Sequence, residues 1–161
     1  MAAATERAAH RPLLKIKLGG EGDGARIAAV RKAAPGCELI VDANEAWTPD
    51  NLEYNLAACA NAGVTLVEQP LPAGRDDALA RIKRRVAVCA DESVHDRASL
   101  AGLRARYDAV NSKLDKPGGR TEAMAMADVA GFENSTSFGM SAASSQDLWW
   151  VLRNRASNIS M

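Results

Sequence analysis

Five ionisable residues recur along the chain at nearly regular intervals. They are separated by 25, 26, 23 and 22 positions, and each closes a short run rich in Val, Ile or Leu: Lys17, Asp42, Glu68, Asp91 and Lys113. Each interval is about the length of one strand plus its returning helix. In parallel α/β proteins the carboxyl ends of the strands face one side, and active sites form there. We therefore expect the five charges to converge on one rim, where burying them is costly unless they balance a ligand or an ion.

Three of the five residues are carboxylates on successive predicted strands. Asp42, Glu68 and Asp91 offer oxygen ligands, and no His or Cys accompanies them. Oxygen-only ligand sets select magnesium or manganese over zinc. The pattern therefore predicts a divalent metal site that leaves open positions for a substrate carboxylate. Mg²⁺ is the expected ion, and Mn²⁺ is the alternative.

Three lysines are the candidate bases and charge stabilisers. Lys15 and Lys17 are two apart on one predicted strand, so both side chains point to the same face. Two like charges at such a short distance lower the pKa of one lysine toward the range that is useful for a base. Lys113 stands on a different strand and can supply a second base. A metal with lysine bases indicates removal of a proton next to a carboxylate, with the metal and an ammonium group stabilising the enediolate.

Alternating strands and helices would position these residues. Five runs are strand-like: 13–17, 38–42, 64–68, 86–91 and 109–113. Three apolar stripes between them predict helices: Leu52, Leu56 and Cys59; Leu79, Ile82 and Val86; Leu100, Leu103 and Tyr107. Thr48, Pro49 and Asp50 mark the start of one helix, and Gly63 marks its end. This alternation predicts parallel strands joined by right-handed crossovers.

Length and composition narrow the class of protein. The chain has 161 residues, 47% of them apolar, which suits one domain with a sizeable core. Its 20 basic and 20 acidic residues balance, which argues against a nucleic-acid partner. No apolar run approaches the roughly 18 residues of a membrane helix, and no apolar leader is evident. The three cysteines are predicted to be buried free thiols, so we expect a cytoplasmic protein without a membrane partner.

Five motifs occur in order within residues 10–131. They are the runs Leu14-Lys-Ile-Lys-Leu-Gly, Ile40-Val-Asp-Ala-Asn, Val67-Glu-Gln-Pro-Leu-Pro, Ala90-Asp-Glu-Ser and Asn111-Ser-Lys-Leu-Asp-Lys-Pro-Gly-Gly. Together they resemble the enolase superfamily, in which the muconate-lactonizing and mandelate-racemase-like branch fits best. Within that branch, the run from Lys113 to Ala123 is similar to the dipeptide (L-Ala-D/L-Glu) epimerases.

The resemblance implies an α/β fold, a partial (β/α) barrel of parallel strands that corresponds to barrel strands two to six of the superfamily's C-terminal domain. Lys17 and Lys113 would then flank the substrate α-carbon from opposite faces, one removing the proton and the other returning it. The three carboxylates would hold magnesium, and Lys15 would tune Lys17 and help neutralise the enolate. The implied partner is a small-molecule carboxylate such as the dipeptide Ala-Glu. The resemblance implies a cytoplasmic enzyme, and members of this family are often homo-oligomers.

The end of the chain departs from this family. Residues 1–132 are interpreted as the partial barrel catalytic domain, and residues 133–161 as an atypical tail for which a frameshift is the favoured explanation. The family's N-terminal capping domain, first barrel strand and final Asp-x-Asp motif are not recognisable. Five strands cannot close a barrel alone, and an open edge invites pairing with another chain. We therefore expect weak or no activity from this chain in isolation.

Other interpretations stay open at this point. A cycloisomerase or an o-succinylbenzoate synthase of the same superfamily would use the same lysines and metal. An inactive truncated fragment would keep the site residues without turnover. A phosphorylation-receiver domain would need paired acids where Lys15 and Lys17 stand, and a P-loop NTPase needs a Gly-Lys-Ser/Thr loop that the sequence lacks. Trp47 either lines the pocket rim or packs against the next helix.

Overall fold

Strands and helices alternate along most of the fold. The computed structural model describes residues 2–95, 100, 102–113, 132–133 and 149–154. The elements follow in this order: α1 (Ala2–Ala8), β1 (Leu13–Lys17), α2 (Asp23–Ala33), β2 (Glu38–Asp42), α3 (Pro49–Asn61), β3 (Val64–Glu68), a 3₁₀ turn (Asp77–Ala80), β4 (Ala87–Ala90), β5 (Ala109–Lys113), β6 (Phe132–Glu133) and β7 (Trp149–Asn154).

The strands β1 to β5 lie side by side in chain order and are all parallel. Their register aligns Lys17 with Asp42, Asp42 with Glu68, and Glu68 with Cys89. The five predicted strands and their parallel pairing are confirmed, although β4 is shorter than predicted. Because the aligned residues close their strands, the carboxyl ends of β1 to β3 form one level rim.

The edge of β5 is covered by a strand that the sequence pattern did not predict. β7 runs antiparallel to β5 and pairs Trp149 with Lys113, and β6 pairs antiparallel with β7. Its Trp, Val and Leu residues favour extended backbone, so the edge of β5 is paired within the chain. The proposed boundary after residue 132 falls within β6, and most of 133–161 lies outside the described residues. The division into a barrel domain and a tail therefore stays a prediction.

The helix α3 begins and ends where the sequence pattern predicts. Thr48 is its N-cap, Pro49 opens it, and the side chain of Asn51 accepts a hydrogen bond from the Thr48 N–H over 2.9 Å. Gly63 follows the helix with a φ of 66°, a left-handed conformation that glycine adopts without strain. The predicted apolar stripe of this helix is buried.

The prediction of a helix between β3 and β4 is wrong, because only the 3₁₀ turn forms there. Its apolar residues still reach the core, where Leu79 and Val86 are buried. The carboxylate of Asp76 is also buried and accepts hydrogen bonds from the hydroxyls of Ser93 and Tyr107 over 2.8 and 2.6 Å. This anchor holds the segment against the sheet without a continuous helix.

Apolar side chains pack on both faces of the sheet. The larger cluster joins the sheet to its helices, and the smaller one consists of strand residues on the other face: Ile40, Leu66, Cys89 and Ala109, with Leu13 and Ala87 beside them. The three cysteines are buried and free, as predicted. Trp47 is buried and donates its indole N–H to Asp23 over 2.9 Å, so it packs rather than lines a rim. Among the residues that the structure describes, no helix is long and apolar enough to span a membrane.

Candidate active site

Two buried carboxylates share one ammonium group at the carboxyl ends of β2 and β3. Lys15 Nζ lies 2.8 Å from Asp42 Oδ2 and 2.8 Å from Glu68 Oε2. Asp42 is 3% exposed and Glu68 is 2% exposed. The side chain of Lys15 starts on β1 and reaches past β2 to the end of β3. Three charges therefore meet at this point, and when both acids are ionised one negative charge is in excess.

The carboxylate of Glu68 is held from two sides. Its Oε1 accepts a hydrogen bond from Asn111 Nδ2 over 2.9 Å, while its Oε2 faces Lys15. Burial raises the pKa of Glu68 to about 7, because the ammonium of Lys15 only partly opposes that rise and the charge of Asp42 adds to it. One ammonium group therefore does not offset the cost of burying both carboxylates.

Asp91 follows β4 on the neighbouring strand and is also buried. Its backbone N–H donates to Gln69 Oε1 over 2.9 Å, and the N–H of Ser93 donates to the same oxygen over 3.1 Å. Burial raises the pKa of the Cys89 thiol, and the charges of Glu68 and Asp91 raise it further. Asp91 comes directly after β4, in which Cys89 is aligned with Glu68, so its backbone lies on the same rim as Glu68.

The two lysines predicted to transfer protons stand at the ends of β1 and β5. Lys17 is exposed and is aligned with Asp42 across the sheet. Lys113 is the last residue of β5 and pairs with Trp149, but its side chain lies outside the described residues. Strand alternation puts position 113 on the same face of the sheet as Asn111. Both positions therefore belong to the carboxyl-end rim, on strands that flank β2, β3 and β4.

Three non-glycine residues adopt positive φ in the loops that follow β2 and β3. The angles are 44° at Asn44, 63° at Glu45 and 34° at Gln69. Such conformations cost free energy and cluster at functional sites. Glu45 Oε1 accepts the N–H of Ala73 over 2.6 Å, and Asn44 Nδ2 donates to Glu92 Oε1 over 3.3 Å. Specific contacts therefore hold the strained loops beside the carboxylates.

The donor set fits a hard divalent cation. Two of the three predicted ligands, Asp42 and Glu68, already converge on one positive group, and the Lys15 ammonium stands in for a cation there. Across the part of the chain that the structure describes, no three His, Cys, Asp or Glu side chains surround a common point as metal ligands do. The structure thus unites two predicted ligands and places the third, Asp91, at the next strand end.

Two polar side chains of this rim were not predicted from the sequence. Asn111 holds Glu68, and Gln69 holds the backbone that carries Asp91. Signals for both were present, since Asn111 stands two positions before Lys113 on one strand and Gln69 directly follows Glu68 in a motif. The contacts of Lys15 with two carboxylates were not predicted either, because they depend on the order of three strands.

This arrangement matches a known domain. The profile of the family described as enolase C-terminal domain-like matches residues 1–145. The chain belongs to this family. The resemblance that the five sequence motifs carried is therefore confirmed.

Curated relatives of this enolase-family chain are named as isomerases. L-Ala-D/L-Glu epimerase of Escherichia coli is 48% identical over 115 residues, which cover 71% of this chain and 36% of that protein. N-acetyl-D-glutamate racemase of Pseudoalteromonas is 46% identical over 119 residues, covering 74% and 38%. Chloromuconate cycloisomerase of Cupriavidus pinatubonensis is 40% identical over 125 residues, covering 72% and 33%. The chain spans well under half the length of these relatives.

Solved structures confirm the fold as that of the enolase-superfamily C-terminal barrel domain. An enolase family member from Agrobacterium tumefaciens with homology to dipeptide epimerases, bound to sodium and L-Ala-L-Glu, is 58% identical with a TM-score of 0.76, covering 80% of this chain and 40% of that one. Dipeptide epimerase from Enterococcus faecalis, complexed with Mg and L-Leu-L-Tyr, is 33% identical with a TM-score of 0.71, covering 82% and 41%.

Proposed function

We propose that this chain carries the active site of a magnesium-dependent epimerase or racemase, which removes and returns the proton α to a carboxylate on a dipeptide such as Ala-Glu. The observation that carries the proposal is that the Lys15 ammonium pairs with both Asp42 and Glu68. Lys17 and Lys113 end strands on the same rim. Relatives named as dipeptide epimerases support this reaction class. The proposal concerns the site, because the chain spans about 40% of the Agrobacterium protein.

Lys17 and Lys113 are the proposed acid–base pair. They stand at the ends of β1 and β5, so a substrate held over the rim between them meets one lysine on each side. In one direction Lys17, as a neutral amine, takes the α-proton at its Nζ, and Lys113, as an ammonium, delivers a proton to the opposite face. The roles exchange in the reverse direction. This route inverts the carbon centre without net consumption of protons.

Asp42, Glu68 and Asp91 are the residues that would hold Mg²⁺, with Mn²⁺ as the alternative ion. When bound, Mg²⁺ supplies a Lewis acid that polarises the substrate carboxylate and neutralises the charge that develops as the α-proton leaves. Lys15 orients Asp42 Oδ2 and Glu68 Oε2 and keeps a fixed positive charge beside them. Asn111 orients the remaining oxygen of Glu68.

A cycloisomerase reaction on the same rim is the second candidate. The match to chloromuconate cycloisomerase favours it, since that match covers 72% of this chain, against 71% for the Escherichia coli epimerase. The two candidates differ in substrate, because both substrates carry two carboxylates but a muconate is a diene without an ammonium group or an amide. Consumption of a muconate without proton exchange on Ala-Glu selects the cycloisomerase.

Three further expectations accompany the proposal and stay predictions. The partner is a small-molecule carboxylate, with no nucleic acid or membrane. The protein forms a homo-oligomer, and it works in the cytoplasm. Sedimentation of the purified chain, with and without Mg²⁺, measures the second of these directly.

Proton exchange in deuterated water tests the proposal. The purified chain is incubated with L-Ala-L-Glu and Mg²⁺, and NMR follows the α-proton signals of the dipeptide. Because the chain spans only part of its relatives, we expect slow exchange, which should stop with EDTA and in the Lys113→Ala variant. Lys32→Ala removes an exposed lysine from the last turn of α2 and should exchange at the wild-type rate. A chain that is folded by circular dichroism and binds Mn²⁺, yet leaves the α-protons in place, contradicts the proposal.

A further inference from the structure

A buried amide joins the ends of β3 and β4 to the segment that leads into β5. Gln69 is fully buried and makes hydrogen bonds at both ends of its side chain. Its Oε1 accepts the backbone N–H of Asp91 over 2.9 Å and that of Ser93 over 3.1 Å. Its Nε2 lies 2.8 Å from the carbonyl oxygen of Leu71 and 2.9 Å from the hydroxyls of Ser93 and Tyr107.

The chemistry of these partners fixes the orientation of the amide. Two backbone N–H groups can only donate, so the atom that faces them is the oxygen. The carbonyl of Leu71 can only accept, so the atom that faces it is the nitrogen. If the amide were rotated, its nitrogen would face the two N–H donors and its oxygen would face the carbonyl acceptor. Leaving these buried groups without hydrogen bonds is costly. The oxygen of Gln69 therefore stays aimed at the loop that carries Asp91.

The nitrogen end of this amide rests on a buried anchor. The carboxylate of Asp76 accepts hydrogen bonds from the hydroxyls of Ser93 and Tyr107 and pairs with Arg106. Ser93 and Tyr107 are the same hydroxyl residues that Gln69 Nε2 contacts. A carboxylate satisfied by two hydroxyls and a guanidinium makes a rigid, charge-assisted network. The side chain of Gln69 is thus held at one end while it holds the loop at the other.

We propose that Gln69 is a positioning residue that fixes the backbone of the loop after β4, which carries Asp91, next to the strand end that carries Glu68. The inference rests on the proposed metal site and deepens it. Because Gln69 directly follows Glu68, one pair of residues presents one ligand and anchors the backbone of another. A loop whose backbone is already fixed loses less freedom when its carboxylate binds a metal, so loss of the anchor should weaken metal affinity.

Hydrogen exchange in the metal-free protein tests the anchor itself. Gln69→Leu removes the acceptor at the carboxyl end of β4. Asp108→Leu is the matched control, because Asp108 is also buried and its Oδ2 accepts the N–H of Val88 over 3.0 Å within β4. NMR should show exchange that is about tenfold faster at Asp91 and Ser93 in Gln69→Leu, and at Val88 in Asp108→Leu. Unchanged exchange at Asp91 and Ser93 in folded Gln69→Leu overturns the proposal.

Titration with Mn²⁺, followed by electron paramagnetic resonance, tests the consequence for the metal. Gln69→Leu should bind Mn²⁺ about 10- to 100-fold more weakly, whereas Asp108→Leu should bind it as the wild type does. If Gln69→Leu does not fold, the double variant Tyr107→Phe, Ser93→Ala takes its place. It removes two of the three partners of the amide nitrogen and leaves the carbonyl of Leu71, so a smaller loss in the same direction is expected. Wild-type affinity together with fast exchange at Asp91 overturns the positioning role. A wild-type chain that binds no Mn²⁺ but shows the exchange pattern refutes the proposed metal site and leaves the anchor standing.

Discussion

The two ends of the sheet are built in opposite ways. At the carboxyl ends of β2 and β3, two buried carboxylates share the single ammonium of Lys15, and the loops that follow hold non-glycine residues at positive φ. At the amino ends, the half-buried guanidinium of Arg31 donates to carbonyl oxygens where α2 and α3 end, those of Ala34, Pro35, Cys37, Ala62 and Gly63. The positive φ there belongs to a glycine, Gly63.

This difference separates the part of the molecule that stabilises the fold from the part to which we assign the proposed chemistry. The amino end joins a cation to partial negative charges at helix ends and places glycine where the backbone is left-handed, so each choice lowers the free energy of the fold. The carboxyl end keeps unbalanced charge and backbone strain, which persist only because the surrounding structure imposes them. A binding site for a charged ligand needs such an end, since a rim whose charges are already balanced would not attract the ligand.

Loss of Lys17 should produce the largest functional effect with little effect on stability. Lys17 is exposed at the rim, so Lys17→Ala removes no packing. General acid–base groups contribute about 10²- to 10⁴-fold to rate, and proton exchange on the dipeptide should fall by that factor. NMR measures the exchange, and thermal unfolding measures the stability. A Lys17→Ala chain that melts well below the wild type would show that the carboxyl end also stabilises the fold.

Loss of Arg31 should give the reverse result. Arg31→Ala leaves several carbonyl oxygens at the ends of α2 and α3 without their donor, and the free energy of unfolding should fall by about 2 kcal/mol. Arg31→Lys keeps the charge but not the forked geometry, so it should recover only part of the loss. Urea unfolding measures both variants. Mn²⁺ affinity should stay unchanged in both, and a change in it would mean that the two ends are coupled.

The sequence predicted the rim better than the contacts within it. Five strands were evident because each short apolar run ends in a charge, and parallel pairing then brings those charges to one side. The contact of Lys15 with Glu68 could not be predicted, because it joins β1 to β3 across an intervening strand. The anchoring of Asp76 was equally hidden, and it replaces the predicted helix with a 3₁₀ turn. Local pattern thus specifies elements, while buried polar pairing depends on the assembled sheet.

Acid should remove stability at the carboxyl end through Asp23, which lies at the start of α2. Burial raises its pKa, but hydrogen bonds from Trp47, from two backbone N–H groups and from Arg26 outweigh burial and hold the pKa below its ordinary value. A carboxyl group with a lowered pKa in the folded state stabilises fully above the unfolded value of about 4, and this contribution is lost as the pH falls through the lowered pKa. Urea midpoints of Asp23→Asn should therefore fall less steeply in acid than those of the wild type.

Asp108, before β5 at the amino end, should respond to pH with the opposite sign. Burial raises its pKa, and the N–H of Val88 and the charge of Arg84 only partly oppose the rise. Its contribution is present below about pH 4 and is lost as the pH rises through the raised pKa. Stability of the wild type relative to Asp108→Asn should therefore fall as pH increases, whereas relative to Asp23→Asn it should rise. Slopes of the same sign would contradict the assignment of opposite shifts.

Two glycine substitutions should give the smallest effects and test the strain directly. Gly63→Ala places an alanine at φ 66°, and its new Cβ would lie 3.7 Å from the nearest atom, in the guanidinium of Arg31, so its cost is conformational and about 1 kcal/mol. Glu45→Gly relieves a φ of 63° but deletes the hydrogen bond to the Ala73 N–H, so the two changes oppose each other and stability should shift by less than about 0.5 kcal/mol. Urea unfolding measures both. If Glu45→Gly destabilises as much as Gly63→Ala does, the contact outweighs the strain in that loop, and the contrast between the two ends reduces to their charges.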